Sequence, residues 1–295
     1  MIRSLQILCD LVETQSFTET GQRHSLTQPA VSQHLKGLEN KFGHRLLERR
    51  HRHLALTPAG RVVYETAQDI LWRYHRLERV LEKPHKDVSG AIRLVASLTV
   101  GLYELPPYLT AYLKQFPKVD MQLNYLPPSE VYDAVLTNHA DVGFVAFPEP
   151  HPQLMIHLFK KDRLVVVLPR RHPWATRRRI SLKRLAKQPF IAMQLGSPMR
   201  KAVDHVFEQA RVHAHVVHEF DNLELVKRAV EVGWGLSIVP RHTITGEMLA
   251  NTLIPLEIEE GPFEHPVGIV TRRQAERSLA TQKLITLFLS RKGAS

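Results

Sequence analysis

Residues 16–39 constrain the fold of this chain more than any other segment. They are typical of two short helices joined by a tight turn. Ser16 and Glu19 form a capping box for the first helix, while Thr27 and Pro29 suit the N-cap and the first turn of the second. The second helix then carries an apolar stripe at spacings of four and three, which predicts a buried side formed by Val31, Leu35, Leu38 and Phe42.

The opposite side of the second helix is polar, with Gln28, Ser32, Gln33 and Lys36. A polar leading side on an apolar back is what a helix in the DNA major groove requires, although an ordinary helix pair with a solvated side has the same pattern. The next segment favours DNA, because phosphate contacts need basic side chains beside a reading helix. Against one acid, Glu48, residues 41–61 carry Lys41, Arg45, Arg49, Arg50, Arg52 and Arg61, and an extended stretch at 52–56 predicts a β-wing.

Residues 1–61 resemble the winged helix-turn-helix of the LysR-type transcriptional regulators. The resemblance implies that Gln28, Ser32 and Gln33 read base edges beside an apolar contact from Pro29, and that Thr27, Lys36, Arg49 and Arg52 hold phosphates. The family usually has two alanines in place of Thr20-Gly21 and a leucine in place of His24, so we expect weaker packing of the two helices. The matching residues are Ser16-Phe17-Thr18, Thr27 to Ser32, Leu38-Glu39, Phe42-Gly43, Leu46 to Arg49 and Leu56 to Gly60.

Composition agrees with a nucleic-acid partner. The 295 residues suffice for two or three domains, and the formal net charge of +11 favours a polyanionic partner or an anionic ligand. We expect a cytoplasmic protein, since the sequence has neither a signal peptide nor an apolar stretch of membrane-spanning length. Cys9 is the only cysteine, which excludes an intrachain disulfide, and its apolar neighbours predict a buried thiol. No metal or cofactor is expected, and His213, His215 and His218 are interpreted as surface residues.

A long helix is predicted over residues 58–86, with Thr57 as its cap and Pro58 at its first position. Its apolar residues follow a heptad pattern, which is typical of a coiled coil but also of a helix packed on its own domain. The resemblance implies a linker helix that dimerises. The dimerisation residues are then Val63, Ala67, Ile70, Tyr74, Leu77 and Leu81.

After a polar joint at residues 86–90, strand and helix patterns alternate, which predicts an α/β fold. The resemblance implies an effector-binding domain at 90–295 with the two-lobed fold of type-2 periplasmic binding proteins. Lobe I then takes residues 90–161 and 266–295, lobe II takes 162–265, and two crossover strands join them. The predicted strands are 92–96, 119–125, 141–146, 154–159, 164–168, 216–220, 236–239 and 267–271, and the predicted helices are 105–116, 129–139, 181–187, 199–210, 223–232 and 274–289.

Ligands of open α/β sheets bind beyond the carboxyl ends of strands, against helix N-termini. Ser97 and Thr99 follow the first strand of the effector domain and suit an anionic ligand, although plain helix capping is an alternative explanation. The resemblance places the effector at these residues. The facing lobe offers Gln194, Ser197 and Arg200, of which Arg200 is interpreted either as an anion partner or as a helix-surface residue. Ala146 and Phe147 are expected to line the wall and to favour a ligand with some hydrocarbon.

A ligand-responsive transcription factor explains all these features together. It is expected to act as a homodimer or a dimer-of-dimers tetramer on an interrupted inverted repeat, with RNA polymerase as a further candidate partner. The alternative is a metabolite-binding protein whose basic N-terminal domain binds DNA without sequence specificity. An enzyme is disfavoured, because the sequence has no P-loop, Gly-x-Ser-x-Gly elbow or His-Glu-x-x-His motif. The basic segment 160–187 has two open interpretations, either a solvated surface or a face near bent DNA or a partner subunit.

Overall fold

The computed structural model divides into two compact units, residues 1–86 and residues 87–295. It describes residues 1–50, 53–81, 88–274 and 277–290, apart from the side chains of residues 49, 50, 76 and 79–81. Arg52 therefore lies outside the described residues, and nothing is said of the side chains of Arg49 and Leu81. Among the residues described, none of the helices combines the length and apolar character needed to cross a lipid bilayer.

The first unit is a helix-turn-helix followed by a two-stranded wing and a long helix. The wing strands are antiparallel, with Leu47 opposite Leu56. The helices are α1 (Ile2–Thr14), α2 (Phe17–Arg23), α3 (Gln28–Phe42) and α4 (Pro58–Leu81), and the strands are β1 (Leu47–Arg50) and β2 (His53–Leu56).

The predicted helix starts of the helix-turn-helix are confirmed, with one exception. Thr27 Oγ1 accepts a hydrogen bond from the Ala30 N–H at 3.4 Å, and Ser16 Oγ accepts one from the Glu19 N–H at 3.3 Å. The return bond of the capping box was a wrong prediction, because the Glu19 carboxylate pairs with Arg23 instead. The predicted apolar stripe of α3 is buried at Val31, Leu35 and Leu38, whereas Phe42 is 41% exposed at the helix end.

The wing is held against the start of α4 at one close approach. Thr57 caps α4 by accepting from the Gly60 N–H at 2.9 Å, and the Thr57 hydroxyl donates to the Arg45 carbonyl at 2.7 Å. A Cβ atom at position 60 would lie 1.9 Å from the Leu46 carbonyl oxygen, so only glycine permits this contact. The sequence Thr57-Pro58-Ala59-Gly60 thus ends the wing and begins the long helix in one turn.

The second unit alternates strands and helices, as predicted. A 3₁₀ turn at Arg241–Ile244 lies between β10 and α11. The strands are β3 (Gly90–Ala96), β4 (Val119–Tyr125), β5 (Val142–Ala146), β6 (Leu154–Pro169), β7 (Arg179–Ile180), β8 (Pro189–Met193), β9 (His215–Phe220), β10 (Ser237–Pro240), β11 (Leu253–Ile258) and β12 (Glu264–Arg272). The helices are α5 (Leu98–Tyr103), α6 (Pro106–Gln115), α7 (Pro128–Leu136), α8 (Leu182–Leu185), α9 (Pro198–Gln209), α10 (Leu223–Glu231), α11 (Thr245–Leu249) and α12 (Leu279–Ser290).

The long strand β6 connects two groups of strands. The order of the main sheet is β4-β3-β5-β12-β6-β11-β7, and β10 also pairs with β6. The first half of β6 pairs with β12, and its second half, from Leu164, pairs with β10 and β11. The sequence predicts two separate strands here, but the backbone continues through the polar residues 160–163 because β12 pairs with them as well.

Four buried clusters divide between the two halves of β6. Two clusters take their buried residues from 92–159 and 267–288, and the other two take theirs from 164–258. The strands β7, β8 and β11 and the helices α5 and α11 are not among the predicted elements. The helix predicted at 181–187 is one turn, Leu182–Leu185.

Candidate DNA-binding and effector-binding sites

The predicted reading residues of α3 lie in its first three turns. Gln28, Pro29, Gln33 and Lys36 are exposed, as is the cap Thr27, whereas Ser32 is half-buried. Gln28 Nε2 donates to Ser32 Oγ at 3.0 Å. This bond shows that both side chains lie on the same side of the helix. Base readout would replace it with bonds from each side chain to a base edge.

An open cleft of about 1210 Å³ runs between α3 and the wing. Ser32 and Lys36 line it, together with Asn40, His44 and Arg45. Sequence reasoning missed Asn40 as a member of this surface, although it stands four residues after Lys36 and eight after Ser32 and so shares their side of the helix. The lining also contains the carboxylates Glu39 and Glu48, of which Glu39 accepts from the Leu46 N–H at 2.8 Å. The short hydrogen-bonding groups and the cationic groups of the cleft suit a phosphate backbone beside base edges.

The two departures from the family pattern are compensated by polar contacts. Thr20 is fully buried, and its hydroxyl hydrogen-bonds the Thr14 hydroxyl at 2.8 Å. The His24 ring pairs with Asp10 of α1. At Gly21 a Cβ atom would lie 2.7 Å from the Leu26 carbonyl oxygen, so the turn between α2 and α3 is closed more tightly than an alanine would allow.

Cys9 packs in the core of the first unit, as predicted. It is 8% exposed and belongs to the cluster of α1, α3 and the wing base. Burial, together with the nearby charges of Asp10 and Glu13, raises the pKa of the Cys9 thiol to about 12. The thiolate form is therefore scarce in the folded protein, and the side chain is chemically inert.

The heptad residues of α4 divide into two groups. Ala67 is 1% exposed and packs in the core of its own unit, so its assignment to a seam between subunits is contradicted, whereas Val63 is half-buried against the same core and its assignment stays a prediction. Further along, Ile70, Tyr74 and Leu77 are exposed by 36%, 37% and 55%. These three residues form an apolar stripe on a helix that is otherwise charged. They are the part of α4 that can still pack on a second copy of the chain.

A cavity of about 530 Å³ lies between the two lobes of the second unit. Five of the seven predicted effector residues line it: Ser97, Thr99, Ala146, Gln194 and Ser197. They converge because they follow β3, β5 and β8 or begin the next helices, where strand ends of an α/β sheet meet. The other polar lining residues are Tyr125, Asp221 and His265, and the rest of the wall is apolar, with Leu98, Leu126, Pro127, Pro128, Met193, Pro198, Met199, Leu223 and Pro240.

Ser97 is the most unusual polar group of this cavity. It is 8% exposed, and its hydroxyl has no hydrogen-bond partner among the described residues. It occupies the N-cap position of α5 but makes no side-chain cap bond, so capping does not explain it. Ser197, in contrast, accepts from the Arg200 N–H at 3.1 Å and caps α9. A buried hydroxyl without a partner costs about 1–3 kcal/mol, which a ligand in the cavity would recover.

Both interpretations of Arg200 were wrong. Its side chain is neither free for an anion nor on the surface. Arg200 is 9% exposed, and its guanidinium bonds Glu219 at 2.7 Å, Asp204 at 2.9 Å and the Met193 carbonyl at 2.9 Å. Two carboxylates already neutralise the cation, so Arg200 fixes α9 against β8 and β9 instead of binding a ligand.

Phe147 was also misplaced. Its backbone has a positive φ of 49°, and it lines a second cavity of about 440 Å³ beside α9 instead of the one that Ser97 lines. Its ring packs edge-on against that of His265, with the centroids 5.0 Å apart. The backbone direction after β5 decides which cavity the Phe147 ring lines, and no pattern in the sequence predicts that direction.

His265 lines the cavity between the lobes, and the sequence did not predict this. It is 2% exposed, and its Nδ1 has no hydrogen-bond partner among the described residues. Burial, assisted by the positive charge of Lys160, lowers the pKa of His265 to about 4, although Asp162 opposes the shift. The ring is therefore neutral at physiological pH and can accept or donate one hydrogen bond. The available signal in the sequence was a histidine beside the apolar residues of strand β12.

A polar network links the lobes next to the cavity. Tyr103, at the end of α5 in lobe I, donates its hydroxyl proton to Glu224 and accepts from Lys227, both on α10 in lobe II. Lys227 is 2% exposed and lies 2.6 Å from Glu247. Burial alone would lower the pKa of Lys227, but its hydrogen bonds to Glu247, Tyr103 and Glu224 raise it above the ordinary value. The ammonium stays charged and holds the two lobes together.

The comparisons with known proteins cover both units. The family described as "Bacterial regulatory helix-turn-helix protein, lysR family" matches residues 2–61, and the family "LysR substrate binding domain" matches residues 85–292.

The described residues contain no group of three or more His, Cys, Asp or Glu side chains arranged for a metal ion.

Individual relatives agree with the family match. The chain is 30% identical over 290 residues to the RuBisCO operon transcriptional regulator of Allochromatium vinosum, covering 98% of this chain and 95% of the relative. It is 27% identical over 286 residues to the HTH-type transcriptional regulator CysL of Bacillus subtilis, covering 97% and 96%. Among solved structures, the regulatory domain of CcmR from Synechocystis, in complex with 2-PG, matches with a TM-score of 0.64 and 25% identity, covering 70% of this chain and 99% of that one. The chain belongs to the LysR family and is a transcriptional regulator with an N-terminal helix-turn-helix domain and a C-terminal effector-binding domain.

Proposed function

We propose that this regulator binds an interrupted inverted repeat as a homodimer or a dimer of dimers and that a small anionic metabolite between its lobes controls the binding. Gln28, Ser32 and Gln33 read base edges, and Lys36, Arg49 and Arg52 contact phosphate. The exposed side of α3 and the cleft beside the wing support this division of roles. The protein acts in the cytoplasm by binding and not by catalysis, and contact with RNA polymerase is part of the same proposal.

The effector site is supported above all by the hydroxyl of Ser97. It is buried, lacks a partner among the described residues and lies in a cavity that also offers Thr99 and the start of α9. An anionic group of the effector accepts hydrogen bonds from these hydroxyls, so the site holds it without help from Arg200. The hydrocarbon part of the effector packs on Leu98 and Met199. The relative CcmR, which was solved with 2-PG, supports a small ligand in a domain of this kind.

Control of DNA binding follows from the position of the cavity between the lobes. A ligand shifts an equilibrium between two lobe arrangements only by its differential affinity for them. An effector that bonds Ser97 in lobe I and Ser197 in lobe II binds one separation of the lobes best. The lobe ranges 90–161 with 266–295, and 162–265, are the bodies that move in this proposal.

The first experiment is a fluorescence-anisotropy titration with the intergenic DNA upstream of the gene and with a scrambled duplex, each at two salt concentrations. Preference for the native fragment that survives the higher salt supports a sequence-specific regulator. Equal and salt-sensitive binding to both contradicts it and favours the alternative, a metabolite-binding protein that binds DNA without specificity. Replacement of Ser32 by alanine should reduce the preference, whereas Arg52→Ala should weaken binding to both duplexes.

The effector is then sought by thermal shift with a panel of small carboxylates and phosphorylated acids. A hit should raise the melting temperature of the wild-type protein and lose most of that effect in Ser97→Ala. An undiminished shift in Ser97→Ala would place the ligand elsewhere. The affinity of the native DNA fragment should change when the same compound is added.

A further inference from the structure

A basic edge runs along one side of lobe II. It consists of eight cations within a segment of 18 residues that contains no acid, and we name it by them: Arg170, Arg171, Arg177, Arg178, Arg179, Lys183, Arg184 and Lys187. The segment includes β7, which is the terminal strand of the main sheet, and the short helix α8. A terminal strand has no neighbour on its outer side, so the segment is open to a partner.

The apolar residues of this segment are covered, whereas its cations are exposed. Its apolar residues Trp174, Ile180, Leu182 and Leu185 pack into the core of lobe II, and every one of the eight cations is exposed. Backbone hydrogen bonds hold it in place, from Arg170 N to the Thr252 carbonyl at 3.2 Å and from Arg177 N to the Trp174 carbonyl at 2.9 Å. The cations are therefore presented on an ordered surface.

The positive charge of this edge is not neutralised by nearby acids. Among the residues that the structure describes, none of the eight cations has a carboxylate oxygen within 4.0 Å. Strand β11, which pairs with β7, and the residues after it carry the acids Glu257, Glu259 and Glu260, and two of them already have partners. Glu257 pairs with Arg241 at 3.5 Å, and Glu260 accepts from the Leu182 N–H at 3.1 Å. Glu259 is exposed beside them.

A solvated surface normally mixes charges of both signs, because like charges at close range repel one another. A field of one sign attracts a polyanion, and arginine is the side chain best suited to phosphate oxygens. Duplex DNA is the polyanion that this chain already binds through its first unit. Since the two units share one chain, DNA held by the first is present at high effective concentration for the second, so even a weak contact is productive.

We propose that the basic edge of lobe II is a second DNA contact, which binds the phosphate backbone of flanking duplex without reading sequence. It goes beyond the proposed function, since the helix-turn-helix and the effector cavity need no such contact. The edge would add affinity on long fragments and would make the DNA path depend on the arrangement of the effector domain. A surface contact with another subunit is the competing use of the same cations.

Site-directed photocrosslinking tests the contact directly. Thr176 is exposed among the cations, and the natural thiol, Cys9, is buried with a raised pKa, so a photocrosslinker attaches selectively to full-length Thr176→Cys. The matched control is Thr286→Cys, which is exposed on α12 in lobe I. Crosslinks to a long random-sequence duplex at 176 and not at 286 support the proposal. No crosslink at 176, or equal crosslinking at both positions, overturns it.

The salt dependence of binding gives an independent measurement. Two variants are compared in full-length protein on the same long duplex: R177A/R178A/R179A, and the control K114A/K201A/K283A, which removes the same charge from exposed positions elsewhere in the effector domain. The slope of log affinity against log salt should fall by about 0.9 for each phosphate that the first variant no longer neutralises, and it should stay near the wild-type value in the control. Equal slopes in the two variants overturn the proposal.

These tests do not depend on sequence-specific binding, because the probe is a random duplex. If the native fragment shows no preference but the crosslink forms at 176, the proposed regulator mechanism fails and the second contact stands. Sedimentation of the R177A/R178A/R179A variant completes the test. A loss of assembled mass with an unchanged salt slope overturns the DNA contact in favour of a subunit contact.

Discussion

Tyr103 of lobe I accepts a hydrogen bond from Lys227 of lobe II, a lysine that is only 2% exposed. The same hydroxyl donates to Glu224, so one phenol bridges a cation and an anion on the facing helix. Because Tyr103 ends α5 and Ser97 begins it, this bridge and the proposed effector contact lie on the same short helix. We therefore predict that the stability of the contact between the lobes and the affinity for an effector are coupled through α5.

The bridge predicts a specific loss of stability in Tyr103→Phe. Removal of a hydroxyl that bonds two charged groups should lower the free energy of unfolding by about 1.5–3 kcal/mol. Tyr108→Phe is the matched control, since the Tyr108 ring packs inside lobe I against Phe159 and Phe288. Urea unfolding of both variants measures the difference. Equal losses would mean that the hydroxyl at 103 contributes no more than an ordinary one.

Ser97 and Ser237, the two buried serines among the described residues of the effector domain, should respond in opposite ways to truncation. Ser237 is 2% exposed and donates to the Ile191 carbonyl at 2.8 Å, so Ser237→Ala should lower the free energy of unfolding by about 1 kcal/mol. Ser97→Ala removes a hydroxyl without a partner and should leave stability unchanged or raise it by up to about 1 kcal/mol. A loss in Ser97→Ala as large as in Ser237→Ala would show that the Ser97 hydroxyl is already satisfied without effector.

His265 predicts an acid-dependent loss of stability. Its pKa is lowered from 6.5 to about 4 in the folded protein, so above pH 6.5 both states are neutral and the residue has no pH effect. Below pH 6.5 the unfolded chain binds the proton first, and stability falls as the pH drops towards 4. At about 1.4 kcal/mol per pH unit, the loss reaches about 3 kcal/mol across the window.

Urea unfolding at several pH values between 7 and 4 checks this expectation. His265→Gln should flatten the slope, while His213→Gln, a substitution of an exposed histidine, should leave it as in the wild type. If His265→Gln shows the full slope of the wild type, other groups cause the acid sensitivity.

The exposed stripe on α4 predicts a monomeric variant. Ile70→Asp with Leu77→Asp places two charges on the apolar side, where a second helix would have to bury them, and should abolish assembly. Gln68→Asp with His75→Asp is the control, because it has the same spacing of seven residues on the opposite side of the helix. Sedimentation velocity distinguishes the two. An assembled mass that persists in the first variant contradicts dimerisation through this stripe.

Local patterns accounted for the helix-turn-helix and for the starts of its helices. Thr27 and Thr57 act through bonds to residues three positions away, Pro29 fits the first helical turn because its fixed φ and missing N–H cost nothing there, and the period of α3 is a property of the helix itself. Local patterns do not predict which residues of the α4 heptad are buried. The same spacing continues from Ala67 to Leu77, but only the folding of α1 against the first half of the helix decides which residues are covered.

In the effector domain, the sequence by itself predicted the alternation of strands and helices, although not β7, β8, β11, α5 or α11, and it placed Ser97, Thr99, Ala146, Gln194 and Ser197 beside strand ends or helix starts. These five residues converge because strand ends meet at one edge in this topology. Only the tertiary structure decided the fates of Arg200, Phe147 and His265. Glu219 lies 19 residues from Arg200 and comes within 2.7 Å only when β9 pairs with β8. Burial and charge pairing arise from contacts between segments far apart in the chain, and no local pattern encodes them.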